Sequence, residues 1–140
     1  ADAFFPTDAT HWETYRAALV ERGGPDLGPM PPVGPKFVHV TDDVARDRMR
    51  LAPFVHNDRA SYGGWAEASG VDTGFRTVAS GDVWDDPEYQ VLTSPQCIDL
   101  IEELGDGVTM PITPMMGGVP PALAWESLHR IVDEVMPHVA

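Results

Sequence analysis

The sequence is poor in positive charge and in cysteine. Among its 140 residues, 9 are Lys or Arg and 22 are Asp or Glu, which gives a formal net charge of -13. Nucleic-acid binding needs clustered cations to neutralise phosphates, so the composition argues against a nucleic-acid partner. Cys97 is alone and cannot form an internal disulfide, and the cytoplasm is therefore the predicted compartment.

Long apolar runs and the common catalytic motifs are also missing. No stretch approaches the roughly 20 apolar residues of a membrane helix, so no membrane partner is expected. The patterns Gly-x-Ser-x-Gly, Gly-x-Gly-x-x-Gly and Gly-x-x-x-x-Gly-Lys-Ser/Thr are absent, which leaves a nucleophilic hydrolase, a Rossmann site and a P-loop without support. No two histidines have the i, i+4 spacing of a helical metal site, so no metal is predicted.

The first part of the chain predicts a helix, a loop and a strand. Thr10 and Glu13 have the spacing of a capping box, which predicts a helix that runs from there to about Arg22 and stops at Gly23 and Gly24. Pro and Gly crowd residues 25–35, a composition that indicates a loop. Residues 36–40 form a short β-rich run and are predicted to be a strand.

A second helix is predicted directly after this strand. Residues 41–43 place a capping threonine and two acids where a helix N-terminus favours negative charge. The helical pattern continues to Gly70 and is expected to kink or restart at Pro53. The polar segment 56–59 is interpreted as a solvated face of this helix. Residues 71–88 have no clear period and predict a long excursion loop.

The C-terminal part predicts a helix, a strand and a final helix. Thr93 and Gln96 form a second capping box, which opens a helix that stops at Gly105. Residues 108–113 are predicted to be a strand, and residues 122–136 a last helix with one buried stripe.

Strands that alternate with helices predict an α/β architecture with parallel pairing. Residues 1–140 are interpreted as one domain, since the chain is long enough for one core and too short for two large ones. Two or three parallel strands make a poor free-standing sheet, because parallel strands need both faces covered and both edges protected. We therefore expect that further strands come from elsewhere.

The turn after the last predicted strand has the most suggestive local chemistry. Gly117 and Gly118 allow backbone N–H groups to approach a ligand closely, and the N-terminus of the following helix faces the same region. A flat cofactor edge or an anion would fit there; alternatively, the two glycines only make a strand-to-helix turn. Met115 and Met116 would line a pocket if they point inward and belong to the core if they do not.

Several segments together resemble one protein family. Residues 111–128, PITPMMGGVPPALAWESL, resemble the last strand and helix of the bacterial-luciferase-like flavin monooxygenases. Residues 89–97, YQVLTSPQC, resemble the segment that precedes them in that family. Residues 37–43, FVHVTDD, and residues 1–6, ADAFFP, resemble two earlier strand ends, so the matches follow the order of the family.

This resemblance implies a fold and a reaction. Members of the family are (β/α)8 TIM barrels that use reduced flavin mononucleotide (FMN) with oxygen, or a deazaflavin for hydride transfer, on small organic substrates. Residues 1–6, 37–40 and 108–113 would be the sixth, seventh and eighth strands, so the chain would hold the last two to three β/α units of a partial barrel. The active site of such a barrel lies at the carboxyl ends of its strands.

The resemblance also implies the site residues and the partners. The residues expected to contact the flavin are Met115, Met116, Gly117 and Gly118, and those expected to line the substrate pocket are Val40 and Thr41. No residue is assigned to proton transfer. Activity would require the rest of the barrel, supplied by a separate N-terminal half or by a homodimer mate. The alternative is a non-catalytic truncated barrel that acts as an interaction or dimerisation module.

Overall fold

The computed structural model of the chain describes residues 9–70 and 83–139. Contacts within the chain define two compact units, Ala1–Pro32 and Val33–Ala140. The described residues are mostly helical and include two parallel strands, so the predicted mixed α/β class is confirmed. None of the helices in the described ranges is long and apolar enough to cross a bilayer.

The first unit contains one described helix, α1, at Ala9–Glu21. Trp12 is its buried residue, and the indole Nε1–H donates a hydrogen bond of 3.0 Å to the carbonyl oxygen of Gly28. The guanidinium of Arg16 donates to both carboxylate oxygens of Asp26. These bonds attach the loop after α1 to the helix itself. Residues 25–32, within the loop predicted for residues 25–35, indeed form neither helix nor strand.

The two ends of α1 differ in how well the sequence predicts them. Thr10 is the second residue of the helix rather than its cap, and its carbonyl oxygen accepts a 2.9 Å hydrogen bond from the Thr14 hydroxyl. The predicted capping box at Thr10 is therefore wrong. At the other end Gly23 has a φ of 78°, and its N–H donates to the carbonyl oxygen of Val20, so the predicted glycine stop is confirmed.

The second unit is organised around a two-stranded parallel sheet. Strand β1 is Phe37–Val40 and strand β2 is Tyr89–Leu92, with Phe37 opposite Tyr89 and Val40 opposite Leu92. Helix α2, Val44–Ser69, belongs to the connection between them. The predicted first strand and the predicted parallel pairing are confirmed, and together these elements form one β-α-β unit.

The position of the second strand corrects the sequence prediction. Residues 108–113 do not form a strand; within them only Thr109 makes an isolated parallel bridge, with Val33. Pro111 has no N–H and cannot donate a bond to a strand ladder, which explains why pairing stops there. The second strand lies instead at β2, where Tyr89 and Val91 alternate with less buried neighbours.

Helix α2 is one continuous helix. Asp43, and not the predicted Thr41, caps it by accepting a 2.9 Å hydrogen bond from the Arg46 N–H, because the Thr41 hydroxyl instead donates to Asp47. Gly70, with a φ of 66°, ends the helix. Pro53 lies inside this helix, so the predicted restart at Pro53 is wrong, whereas the alternative of a kink stays a prediction. Residues 71–82 of the predicted excursion, and the possible strand at residues 1–6, fall outside the described residues.

Each face of the sheet is covered by its own apolar cluster. On the face of Phe37, the cluster contains the buried residues Phe37, Leu51, Val55, Val83, Tyr89, Val91, Val119, Leu123 and Ala124. On the opposite face it contains Val38, Val40, Cys97 and Val135. Alternate residues of β1 thus enter different clusters, as the twofold period of a strand requires. Helix α2 covers the first face, and helix α3, Ser94–Leu104, covers the second.

Helix α3 begins at a capping box, whereas the final helix begins at prolines without a side-chain cap. At Thr93 the hydroxyl accepts from the Gln96 N–H while the Gln96 side chain accepts from the Thr93 N–H, so the predicted capping box is confirmed. The last helix comprises α4 at Pro121–Arg130, a π-helical turn at Ile131–Val135 and α5 at Met136–Val139. It therefore extends slightly beyond the predicted residues 122–136.

Candidate functional site

A cleft of about 390 Å³ lies at the carboxyl end of β1, and we call it the β1 cleft. Residues 39–41 line it from the strand, and Arg46 and Asp47 line it from the first turns of α2. The final helix closes the other side. Its lining residues are Glu126, His129, Arg130, Asp133 and Glu134, and Asp42 completes the lining. The predicted pocket residues Val40 and Thr41 both lie in this cleft.

Asp47 is a buried carboxylate with three side-chain donors. It accepts hydrogen bonds from the Thr41 hydroxyl at 2.6 Å, from Arg46 Nε at 2.9 Å and from Arg50 Nη1 at 2.9 Å. Burial on its own would raise the pKa of Asp47, but the hydrogen bonds from Arg46, Thr41 and Arg50 outweigh it and hold that pKa well below its usual range. Asp47 is therefore ionised and fixes the geometry of the cleft.

His39 lies next to this carboxylate and is also buried. Its ring is 2% exposed, and Nε2 lies 3.6 Å from Asp47 Oδ2 with no hydrogen-bond partner among the described residues. Burial lowers the pKa of His39 from its ordinary value, although the nearby Asp47 carboxylate works in the opposite direction. The imidazole is thus neutral at pH 7, and Nε2, which faces the Asp47 carboxylate, is the ring nitrogen that carries the proton.

The final helix is held against the strand end by specific polar contacts. The Val40 N–H donates a 2.9 Å hydrogen bond to Ser127 Oγ, and Arg130 bonds both Asp42, at 2.7 Å through Nη1, and Glu134, at 3.1 Å. The π-helical turn that follows contains two of the acidic lining residues. Such turns occur in proteins mostly as single turns near functional sites.

The predicted flavin-contact residues, 115–118, lie at the opposite end of the strands from the β1 cleft. The Thr113 hydroxyl donates a 2.6 Å hydrogen bond to the carbonyl oxygen of Lys36, the residue just before β1. Asn57, more than three turns into α2, donates from Nδ2 to the carbonyl oxygen of Gly117 at 3.0 Å. The turn is therefore next to the amino ends of the strands, and the structure does not bring it together with Val40 and Thr41.

Close packing accounts for the first glycine of this turn. Gly117 has a φ of 61°, and a Cβ built on it would lie 2.0 Å from the carbonyl oxygen of Phe54. Gly118 has a φ of 92°, but a Cβ there would meet no atom within 4 Å. Met116 packs against the core cluster of Phe37, whereas Met115 is 59% exposed. The contact with α2 is thus the reason for glycine at 117.

The polar segment 56–59 also lies near the amino ends of the strands, where Asp58 contacts Tyr89, the first residue of β2. Asp58 is buried and accepts a 3.0 Å hydrogen bond from the Tyr89 hydroxyl. Burial and the Asp58 carboxylate raise the pKa of Tyr89 well above its usual range. Arg59 lies over the Tyr89 ring and pairs with Asp86 at 3.2 Å. Interpreting the segment as a solvated helix face is therefore wrong for Asp58, although His56 is exposed.

Comparison of the chain with protein-family models, with curated proteins and with solved structures found no match. The resemblance to the luciferase-like family therefore stays a prediction. The site itself is defined by the geometry of the β1 cleft. Val40 and Thr41 were predicted as pocket residues from the sequence, whereas His39 and Asp47 were not. One signal for His39 was present, because a histidine two residues before Thr41 shares its face of the strand.

The chemistry available in the β1 cleft is hydrogen bonding and charge. It combines a neutral imidazole, a buried carboxylate and several rim carboxylates. No group of three or more His, Cys, Asp or Glu side chains among residues 9–70 and 83–139 could hold a metal ion. Cys97 lies in the apolar cluster on the far face, where burial raises the pKa of its thiol and disfavours a nucleophilic thiolate. The cleft is therefore suited to binding and orienting a small polar molecule.

Proposed function

We propose that this chain is the closing part of a flavin-dependent barrel oxidoreductase similar to the luciferase-like family. Reduced FMN or a deazaflavin would be its cofactor, and a small organic molecule its substrate. One observation carries the proposal: a ligand-sized cleft lies at the carboxyl end of β1 in a parallel β-α-β unit. That is the end of the strands at which parallel α/β barrels bind their ligands.

The proposal assigns the pocket to the β1 cleft. Thr41 would present its hydroxyl beside the ligand, with Asp47 fixing its direction, and Val40 would supply apolar lining. Their role is to bind and orient the reactants, whereas the flavin supplies the redox chemistry when it is bound. The flavin contacts predicted for residues 115–118 stay a prediction. The proposed pocket does not include them, because that turn lies at the amino ends of the strands.

The proposal further requires additional strands. The sheet has two strands among the described residues, whereas a barrel of this class closes with eight. The missing strands would come from an N-terminal half or a homodimer mate. Parallel strands are stable when both faces and both edges are covered, so pairing with such a partner would complete the sheet as well as the pocket.

Flavin titration tests the proposal. We expect the chain to quench the fluorescence of FMN or of a deazaflavin saturably when a polypeptide that supplies the remaining strands is present, and weakly without it. Asp133→Trp, which places an indole at the rim of the β1 cleft, should weaken this binding several-fold. Asp99→Trp on the exposed side of α3 is the matched control and should leave it unchanged. Failure of both flavins to bind under either condition would refute the proposal.

A dimerisation module is the second candidate, and the exposed surface of α2 favours it. Trp65 is 75% exposed and packs edge-on against the ring of Tyr62, which forms an aromatic patch near the end of the helix. Aromatic residues are enriched in protein interfaces. We expect sedimentation to show a dimer that Trp65→Ser weakens, while Met49→Ser, at a residue 74% exposed on the same helix, has no effect. A wild-type chain that stays monomeric at every concentration would contradict this role.

A further inference from the structure

The outward side of the final helix carries a row of exposed apolar residues. Trp125, Val132 and Met136 are 58%, 54% and 51% exposed. They follow one another at spacings of seven and four residues, so they lie along one side of the helix. His129 lies between the first two, with its ring centroid 5.6 Å from that of Trp125. We call these four residues the outer stripe. Exposed apolar residues normally occur singly, so a row of them with a polar border indicates an interaction surface.

Two carboxylates border the outer stripe. Glu126 and Asp133 each directly follow a residue of the stripe, so both lie on the same side of it, and both are exposed. Arg130 is the only Lys or Arg of the final helix, and it is already bonded to Asp42 and Glu134. The border therefore keeps its negative charge, which is complementary to a positively charged surface.

A second copy of the chain is a poor occupant of this surface. Each copy has a formal net charge of -13 and would bring the same acidic border to the interface. Like charges that meet at an interface cost free energy and suppress the association. A partner helix suits the outer stripe better, because the apolar face of an amphipathic helix presents its own residues at spacings of three, four and seven.

We infer that the outer stripe docks a basic amphipathic helix of a partner protein. Trp125 is the anchor, because tryptophan is enriched among the residues that contribute most to binding at interfaces. Met136 is an adaptable contact at the end of the stripe, and Glu126 and Asp133 pair with Lys or Arg beside the apolar row of the partner. The inference goes beyond the flavin proposal and does not depend on it, since Trp125, Val132 and Met136 do not line the β1 cleft.

Binding of designed peptides tests the chemistry of the partner. The probe is a fluorescently labelled peptide of about three heptads, with leucine at the a and d positions and lysine at e and g. One analogue has glutamate in place of every lysine, and another has alanine in place of every leucine. We expect the anisotropy of the lysine–leucine peptide to rise saturably with the complete chain, and both analogues to bind at least tenfold more weakly. Equal binding of either analogue, or no binding of the probe, would overturn the inference while leaving the flavin titration unaffected.

Variants of the apolar residues test the place of binding. Trp125→Ala should weaken binding of the probe peptide about tenfold or more, because it removes the anchor. Met136→Ser should weaken it several-fold. Met49→Ser is the matched control, since this residue is 74% exposed on α2, and it should leave the affinity unchanged. All three side chains are exposed, so the fold is expected to persist. Equal losses in Met136→Ser and Met49→Ser would overturn the inference.

A pair of charge-matched variants tests the acidic border. Glu126→Gln combined with Asp133→Asn should weaken binding of the probe peptide several-fold and reduce its salt dependence. Asp99→Asn combined with Glu103→Gln removes the same charge from exposed residues of α3 and should leave the affinity unchanged. An equal loss in both double variants would reveal a general attraction to an acidic protein and overturn the inference.

Sedimentation of the wild type and of Trp125→Ala tests the competing occupant, a second copy. We expect the two proteins to have the same state of association at every concentration. A wild-type dimer that Trp125→Ala dissociates would place a second copy on the outer stripe and overturn the inference.

Discussion

Gly117→Ala is expected to lower the free energy of unfolding by about 2–5 kcal/mol. The reason is steric, because a Cβ at this residue would lie 2.0 Å from the carbonyl oxygen and 2.8 Å from the carbonyl carbon of Phe54. Both atoms belong to the backbone of α2, so a side-chain rotation cannot relieve the clash. The φ of 61° adds conformational strain for any residue other than glycine. Urea unfolding followed by circular dichroism measures the loss.

Gly118→Ala is the matched control for this prediction. Its φ of 92° also disfavours an L-residue, but a Cβ at Gly118 has no neighbour within 4 Å. Only the conformational strain remains, so a loss of about 1–2 kcal/mol is expected. If the two variants lost equal stability, the close contact between the turn and α2 would not be the reason for glycine at 117.

Asp47→Asn is expected to lower the free energy of unfolding by about 2–3 kcal/mol at pH 7, since a hydrogen bond to a charged group contributes about 1.5–3 kcal/mol. The carboxylate accepts hydrogen bonds from Thr41, Arg46 and Arg50. An amide of the same shape presents one acceptor oxygen and no charge. Because Thr41 is buried, its hydroxyl would lose a strong acceptor without gaining water.

The same variant predicts a pH dependence. The pKa of Asp47 is lower in the folded chain than in the unfolded chain, so the carboxylate stabilises the fold at pH values above about 4. That contribution is lost as the pH falls towards the folded pKa. The difference in unfolding free energy between wild type and Asp47→Asn should therefore be constant from pH 6 to 8 and shrink in acid.

Asp42→Asn controls for ion pairing as such. Asp42 is also bonded to an arginine, Arg130, but its side chain is 73% exposed. An exposed ion pair contributes at most about 1 kcal/mol, so the loss should be small and should fall further in high salt. A loss at Asp42 as large as the loss at Asp47 would show that burial of the acceptor is not what matters.

Features that depend on neighbouring residues were the ones predicted from the sequence. The reciprocal bonds of Thr93 and Gln96 and the left-handed glycine at 23 each involve atoms within a few residues. Their hydrogen bonds form as soon as the local helix forms. Thr10 shows the limit of such reasoning, because a threonine with the right spacing also fits the first turn of a helix.

Features that depend on distant residues were missed. β2 is four residues long, and its partner is 52 positions earlier in the chain, at Phe37 for Tyr89, so no local pattern separates it from a loop. Asp47 becomes a buried acceptor only when the first turns of α2 pack beside β1. Residue pairing of this kind depends on the tertiary fold, which residue types at short spacing do not specify.

The sequence left two interpretations of the glycine turn at residues 117–118, and the structure shows which group approaches Gly117. A glycine that lets a ligand approach and a glycine that lets a helix approach have the same sequence pattern. At Gly117 the approaching group is the backbone of α2, held there by the bond from Asn57. For Val40 and Thr41 the prediction came from the family resemblance, which assigns them to the substrate pocket, and both residues do line the cleft.

The bond between Val40 and Ser127 also has a consequence for how the sheet can be extended. In β1, the N–H of Thr41 points to β2 and donates to Leu92, whereas the N–H of Val40 points away and donates to a serine hydroxyl. That hydroxyl occupies the place where the carbonyl of an adjoining strand would otherwise be. A strand added on the β1 side would meet this helix, so closing a barrel around the sheet would require α4 to move away from Val40.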